Sequence, residues 1–312
     1  MGASTREAYG RALLRLGSEN PDIVTLTADL AKSTCVHSFG SAYPERFFNV
    51  GVAEQNMMGI AAGLALSGKV VFASTFAVFA SCRAFDQVRM SIAQPRLNVK
   101  IVATHGGITV GEDGATHHAI EDLALMRALP GFTVVVPADE VETEQVIEVA
   151  SCTPGPFYVR TGRPKVPVVH GPEYRFELGR ASMLRDGRDA TIIATGIMVS
   201  AAVQAAEALD GEEIHCRVLN MATLKPLDLE AIAAAAEETG AIVTAEEHLY
   251  QGGLGSAVAQ ALAEKRPVPM SFVAVADRYT KSGPPDALLE KYGLSPERIV
   301  EGVRAVVARK VG

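Results

Sequence analysis

Glu54 is the side chain of this sequence best placed to move a proton. It stands in GVAEQNMMGIAAGLAL (51–66), where a short apolar run gives way to an Ala-rich helical stretch, flanked by Ala53, Met57 and Met58. A carboxyl buried at such a turn is desolvated, so its pKa rises and it can share a proton with a ring nitrogen. Position alone also fits a plainer role, an acid at the positive end of a helix dipole. A second group lies in THGGITVGEDGATHHA (104–119). His105, Asp113 and His117 are of types that suit zinc or iron, but no tight His-x-x-x-His pair supports a metal. Glycines at 106, 107, 111 and 114 suit instead an irregular loop that turns side chains and N–H groups toward an anion. Arg6 and Arg160 are candidates to pair with a phosphate, with surface solvation as the alternative for each. Phe76, Phe79 and Phe85, at helical spacing, read first as core.

The elements that must position these groups follow one rhythm. Short β-branched apolar runs occur at 23–27, 46–51, 69–75, 98–105, 132–137 and 155–162. Being apolar at nearly every position, they fit strands buried on both faces, as in a parallel sheet covered by helices. Between them, 4–16, 53–66 and 77–93 carry helical spacing, and Ser4 with Glu7 predicts a capping box. Three prolines and three glycines in TGRPKVPVVHGPEYRFELG (161–179) break the rhythm. The expected organisation is a first domain over 1–165, a linker over 166–182 and a second domain over 183–312. In the second, runs at 189–196, 214–220, 241–248 and 269–277 alternate with helical stretches at 198–209, 228–239 and 255–264. The fold class is therefore α/β, with two open, mostly parallel sheets.

Composition narrows the function. The chain has 312 residues, 48% hydrophobic and 21% charged, enough to build real cores and too apolar for disorder. A net charge of −7 with no basic run argues against nucleic acid and anionic membrane as partners. No apolar run reaches the roughly 18 residues of a membrane span, and charges interrupt the first apolar stretch. Cys35, Cys82, Cys152 and Cys216 are far apart and form no CxxC, which predicts reduced thiols in a cytoplasmic protein. Neither a Walker sequence nor a GxSxG elbow is present, and GGLGSA (252–257) is only a partial glycine fingerprint. Gly59 and Gly63, four apart on one helix, suit either a subunit contact or close packing on the sheet.

Ligands of open α/β sheets bind beyond the carboxyl ends of the strands. Asp29 and Ser33 follow the first run, Glu54 the second, Phe76 and Phe79 the third, and His105 the fourth; Arg160 ends the sixth. An acid, two aromatics, histidines and an arginine thus share one predicted edge.

Several strings together resemble the transketolase family nearly end to end. They are ADLAKS (28–33), FFNVGVAEQNMMGIAAGLAL (47–66), STFAVF (74–79), THGGITVGEDGATHHAIEDLALMRALPG (104–131), VVVPAD (134–139) and EEHLYQGGLGSAVA (246–259). The resemblance implies a thiamine-diphosphate pyrimidine-binding fold followed by a transketolase C-terminal-like domain. The family's diphosphate-binding domain carries a GDG followed by an Asn that holds Mg²⁺, and no GDG occurs here. The implied protein is therefore the C-terminal subunit of a split transketolase. Its N-terminal partner would carry the GDG motif and the Mg²⁺ ligands, in an α₂β₂ assembly acting on sugar phosphates. By the same resemblance Glu54 matches the catalytic glutamate, His117 a catalytic and channel residue, and Asp29 a cofactor-side acid. Phe76 and Phe79 match the aromatics that hold the pyrimidine, and Cys82 stands where a third aromatic is usual. Arg6, Ser33, His105, Asp113, His117 and Arg160 match substrate-binding positions, while THGG departs from the more usual THDS. AEQ (53–55) and FDQVR (85–89) also echo the β subunit of 2-oxo acid dehydrogenase decarboxylating components. Deoxyxylulose phosphate synthase, normally a three-domain single chain, and a non-catalytic assembly partner are the remaining alternatives.

Overall fold

The computed structural model describes residues 1–310. Its strands are β1 (Ile23–Thr27), β2 (Phe47–Asn49), β3 (Val70–Phe76), β4 (Val99–Thr104), β5 (Thr133–Val135), β6 (Phe157–Arg160), β7 (Ser182–Arg185), β8 (Ala190–Ala194), β9 (Cys216–Asn220), β10 (Thr223–Lys225), β11 (Ile242–Leu249) and β12 (Met270–Val275). They form a seven-stranded sheet in the order β10-β5-β6-β4-β3-β1-β2 and a five-stranded sheet in the order β12-β11-β8-β9-β7. Pairing is parallel throughout except at β10 and β7, each antiparallel to one neighbour. The reading of doubly buried strands holds at β1 and β4, buried at every residue, but fails at β2, which lies at the sheet edge with Phe47 half-buried and Phe48 and Asn49 exposed.

Helices cover both faces of the first sheet. The helix Thr5–Glu19 starts at Ser4, whose hydroxyl accepts from Glu7 N while the Glu7 carboxylate accepts from Ser4 N, the predicted capping box. It buries Ala8, Tyr9, Ala12, Leu13 and Leu16 against a core shared with Phe72, Val102 and Phe157. On the opposite face Met57, Met58 and Ala61 of the helix Glu54–Leu66 join Leu26, Val71 and Ile101. Gly59 and Gly63 of that helix point away from the sheet, and a side chain at either would meet nothing within 4 Å. Sheet packing does not explain them.

Two features outside the predicted runs knit the halves together. After β9 the chain crosses to the first sheet, where β10 pairs with β5 and Lys225 Nζ donates to the carbonyls of Arg127 and Leu129. The Pro- and Gly-rich segment is pinned as well: Val169 and His170 N–H both donate to Asp139 Oδ2, at 2.8 and 2.9 Å, and Phe176 N donates to Gln145 Oε1. No helix of the described residues is long and apolar enough to cross a membrane.

Candidate active site

The carboxyl edge of the first sheet gathers most of the predicted groups. Glu54 opens its helix and is 1% exposed. Phe76 ends β3, and its ring lies parallel to Phe79, with centroids 5.7 Å apart. His105, just beyond β4, stacks on Phe76 at 3.8 Å, and His117 meets Phe79 edge-on at 5.4 Å. Two phenyl and two imidazole rings thus pack together at one sheet edge with a buried carboxylate.

Local backbone geometry aims these side chains. The predicted helix 77–93 is not regular: Ala84 N–H bonds to the Phe79 carbonyl and Gln94 N–H to the Arg89 carbonyl, each five residues back. Such wide turns recur at functional sites because they re-aim side chains. Here one brings Arg83 over the Phe79 ring, with Cζ 4.2 Å from the centroid, and onto Glu54. Asp29 and His105 have φ of 61° and 59°, the left-handed region that costs a residue with a Cβ of order 1 kcal/mol or more. At Asp29 a side-chain clasp holds the turn. Asn49 Oδ1 accepts from Asp29 N, and Asn49 Nδ2 donates to Asp29 Oδ1.

Electrostatics fix the state of His105. Burial, then the guanidinium groups of Arg6 and Arg163 and the neighbouring His117, pull its pKa down to about 3. It is neutral at physiological pH, one ring nitrogen engaged with Thr104 Oγ1 at 2.7 Å. Arg6 donates through Nη1 to the Ser33 carbonyl, bringing two more predicted residues together, while its Nε is buried with no hydrogen-bond partner. Asp113 is exposed on the short turn Gly111–Asp113 at the rim. Cys82 is exposed, its Sγ 3.8 Å from Glu121 Oε1. His118, beside His117, ties the loop down: Nε2 donates to the Gly111 carbonyl, and Nδ1 lies 2.6 Å from Thr280 Oγ1.

Arg160 stands apart. Only 5% exposed, it lies 2.9 Å from Asp122 and donates through Nη2 to the carbonyls of Ala119 and Glu247. Asp122 and two carbonyls thus already occupy Nε and Nη2 of its guanidinium. Arg163, three residues on, is the arginine near His105, and its Nη1 donates to the Val110 carbonyl. Arg163 is the second arginine of RTGRP, three residues past the end of β6, where the strand-end rule also applies. Arg160 also accounts for Gly106: a Cβ there would come within 2.3 Å of the Arg160 side chain. Gly107, with φ +80°, faces the Glu247 carboxylate as closely. The glycines of GGLGSA serve a similar packing, since Leu254 and Gly255 N–H donate to the buried Glu246 carboxylate. Among the described residues no three His, Cys, Asp or Glu side chains converge as a metal site would require.

A doubly built α/β chain that gathers stacked rings, a buried carboxylate and rim arginines at one sheet edge has the layout of proteins that bind small molecules beyond their strand ends. Residues 1–168 match the profile of the transketolase pyrimidine binding domain, and 179–299 that of the transketolase C-terminal domain. The chain belongs to the transketolase family. It is 46% identical over 301 residues to a putative transketolase C-terminal section of Methanocaldococcus jannaschii, covering 96% of this chain and 94% of that one. A subunit of 6-deoxy-6-sulfo-D-fructose transketolase from Clostridium sp. is 44% identical, covering 98% and 95%. Among solved structures, a split gene transketolase described as an inactive β4 tetramer superposes with a TM-score of 0.93 at 54% identity, covering 98% and 99%.

Proposed function

We propose that this chain is the C-terminal subunit of a two-subunit, thiamine-diphosphate-dependent transketolase that transfers a two-carbon ketol unit between sugar phosphates. The observation that carries this reading is the juxtaposition of a buried carboxylate with stacked Phe76 and Phe79, which together would form the slot for a flat ring. Relatives of the same length named as a C-terminal section and as a subunit support a separate N-terminal polypeptide, to which we assign the GDG motif, the diphosphate and the Mg²⁺ ligands. An α₂β₂ assembly follows from that division, and Gly59 and Gly63 offer an open helix face for a subunit contact. Family membership sets the 2-oxo acid dehydrogenase reading aside.

The residues fit the cofactor. Phe76 and Phe79 would hold the pyrimidine, with Cys82 as a looser wall and Asp29 on the cofactor side. Thiamine diphosphate, when bound, supplies an acidic thiazolium carbon that serves as the nucleophile toward a ketose carbonyl. Glu54 holds a proton at the pyrimidine ring nitrogen, a task its buried position suits. Neutral His105 bonds a sugar hydroxyl without repelling the rim cations. His117 closes the mouth of the slot and positions the carbonyl oxygen, and Asp113 reads a further hydroxyl. Arg6, with its unpartnered Nε, and Arg163 present cations to the substrate phosphate, with Ser33 beside Arg6.

Reconstitution tests the reading. The chain alone is expected to be inactive, and the chain mixed with its host's N-terminal subunit to turn over ketose phosphates in thiamine diphosphate and Mg²⁺. A stoichiometric complex without turnover would leave only a scaffolding role. In the active complex, Arg163→Ala raises KM for a phosphorylated acceptor about tenfold or more, the value of one charged hydrogen bond, and leaves the unphosphorylated sugar little changed. An equal rise for both sugars rejects the phosphate role.

A further inference from the structure

Resting on the functional reading above, the structure assigns Arg83 a placeholder role: in the unpartnered subunit its guanidinium takes the place of the pyrimidine ring, and on assembly it withdraws.

The geometry is that of an occupied ring site. Arg83 Nη1 donates to both oxygens of Glu54, at 3.0 and 2.9 Å, while its Cζ lies over the Phe79 ring, 4.2 Å from the centroid. A planar cation that stacks on an aromatic face and donates to a carboxylate meets the two features a planar nitrogen heterocycle would meet there. The need is equally plain. Glu54 is 1% exposed, and a carboxylate left in that position without a counter-ion is strongly disfavoured.

The pair is asymmetric. Glu54 is locked by its helix, whereas the Arg83 side chain is 47% exposed and all its side-chain hydrogen bonds go to Glu54. The Arg83 backbone stays anchored, its carbonyl accepting from Gln55 Nε2 at 3.1 Å, so the side chain can leave without moving the wide turn. Leave it must, because Arg83 occupies both Glu54 oxygens and the face of Phe79, and no ring can reach either while it stays. Arg83 thus protects the slot until the partner closes it.

Melting and cofactor binding test this with Arg83→Gln and the conservative Arg83→Lys. The free Arg83→Gln subunit should melt at least ~2 °C below the wild type, with Arg83→Lys recovering most of the loss. The reconstituted Arg83→Gln complex should bind thiamine diphosphate, in Mg²⁺ and followed by calorimetry, as tightly as the wild type or up to about tenfold tighter. An unchanged melting temperature would show that Arg83 does nothing in the free subunit. Binding measurably weaker than the wild type would make Arg83 a fixed wall of the cofactor site, and either result overturns the proposal. A wild-type complex that binds no thiamine diphosphate overturns the functional reading first, and this one with it.

Discussion

Replacing Glu54 by Gln is expected to cut kcat of the reconstituted enzyme by about 10²–10⁴-fold, the usual worth of a positioned acid–base group. The amide keeps the size of the side chain and its reach toward a ring, but it cannot gain and release a proton at that atom. Because Glu54 opens a helix that packs through Met57, Met58 and Ala61, the substitution leaves those contacts untouched. Gel filtration of the mutant with its partner should therefore match the wild type, while thiamine-diphosphate affinity falls less than kcat does. A kcat within a factor of three of wild type would remove Glu54 from the chemistry and favour the plainer reading, a helix-terminal acid paired with Arg83.

How far the site was legible in the sequence depends on what places each residue. Glu54, Phe76 and His105 follow apolar runs directly, so the rule that ligands sit beyond the strand ends located them. Phe79 reached the same slot although its spacing read first as core, because the turn it sits on is five residues wide rather than a continuing helix. Nothing in FASCR announces that turn; it is set by packing against the helix that Glu54 opens. Strand β10 is three residues long, too short for any period to show, and its register is fixed by β5 from the other half of the chain. The two arginines of RTGRP are the sharper lesson. Which one is buried is decided by Asp122, Ala119 and Glu247, partners 38, 41 and 87 residues away in the chain, and local spacing carries none of that. Types and spacing found the edge; which face each long side chain turns to it needed the tertiary contacts.

Arg160→Ala follows from that placement, and its expected effect is on stability. The substitution strips a buried ion pair of its cation, leaving Asp122, itself 0% exposed, beside Tyr158 and two carbonyls that had accepted from Nη2. Breaking a buried pair from one side costs about 3–5 kcal/mol, here a fall in melting temperature of roughly 10 °C. Arg160 also spans the halves, since one of its acceptors is the Glu247 carbonyl on β11 and Asp122 belongs to the first half. Loss of that tie should loosen the loop over Gly106 and Gly107 and lower kcat for phosphorylated and free sugars alike. Arg163→Ala is the paired control: half-buried at the rim, it should leave the melting temperature within about 2 °C, its ion pair to Glu112 being the exposed kind that contributes little. Thermal melts of the two mutants beside KM values for a phosphorylated and an unphosphorylated acceptor separate the roles. If Arg160→Ala melts like the wild type and raises KM for the phosphorylated sugar alone, the guanidinium turns outward in the working enzyme and reads the phosphate after all.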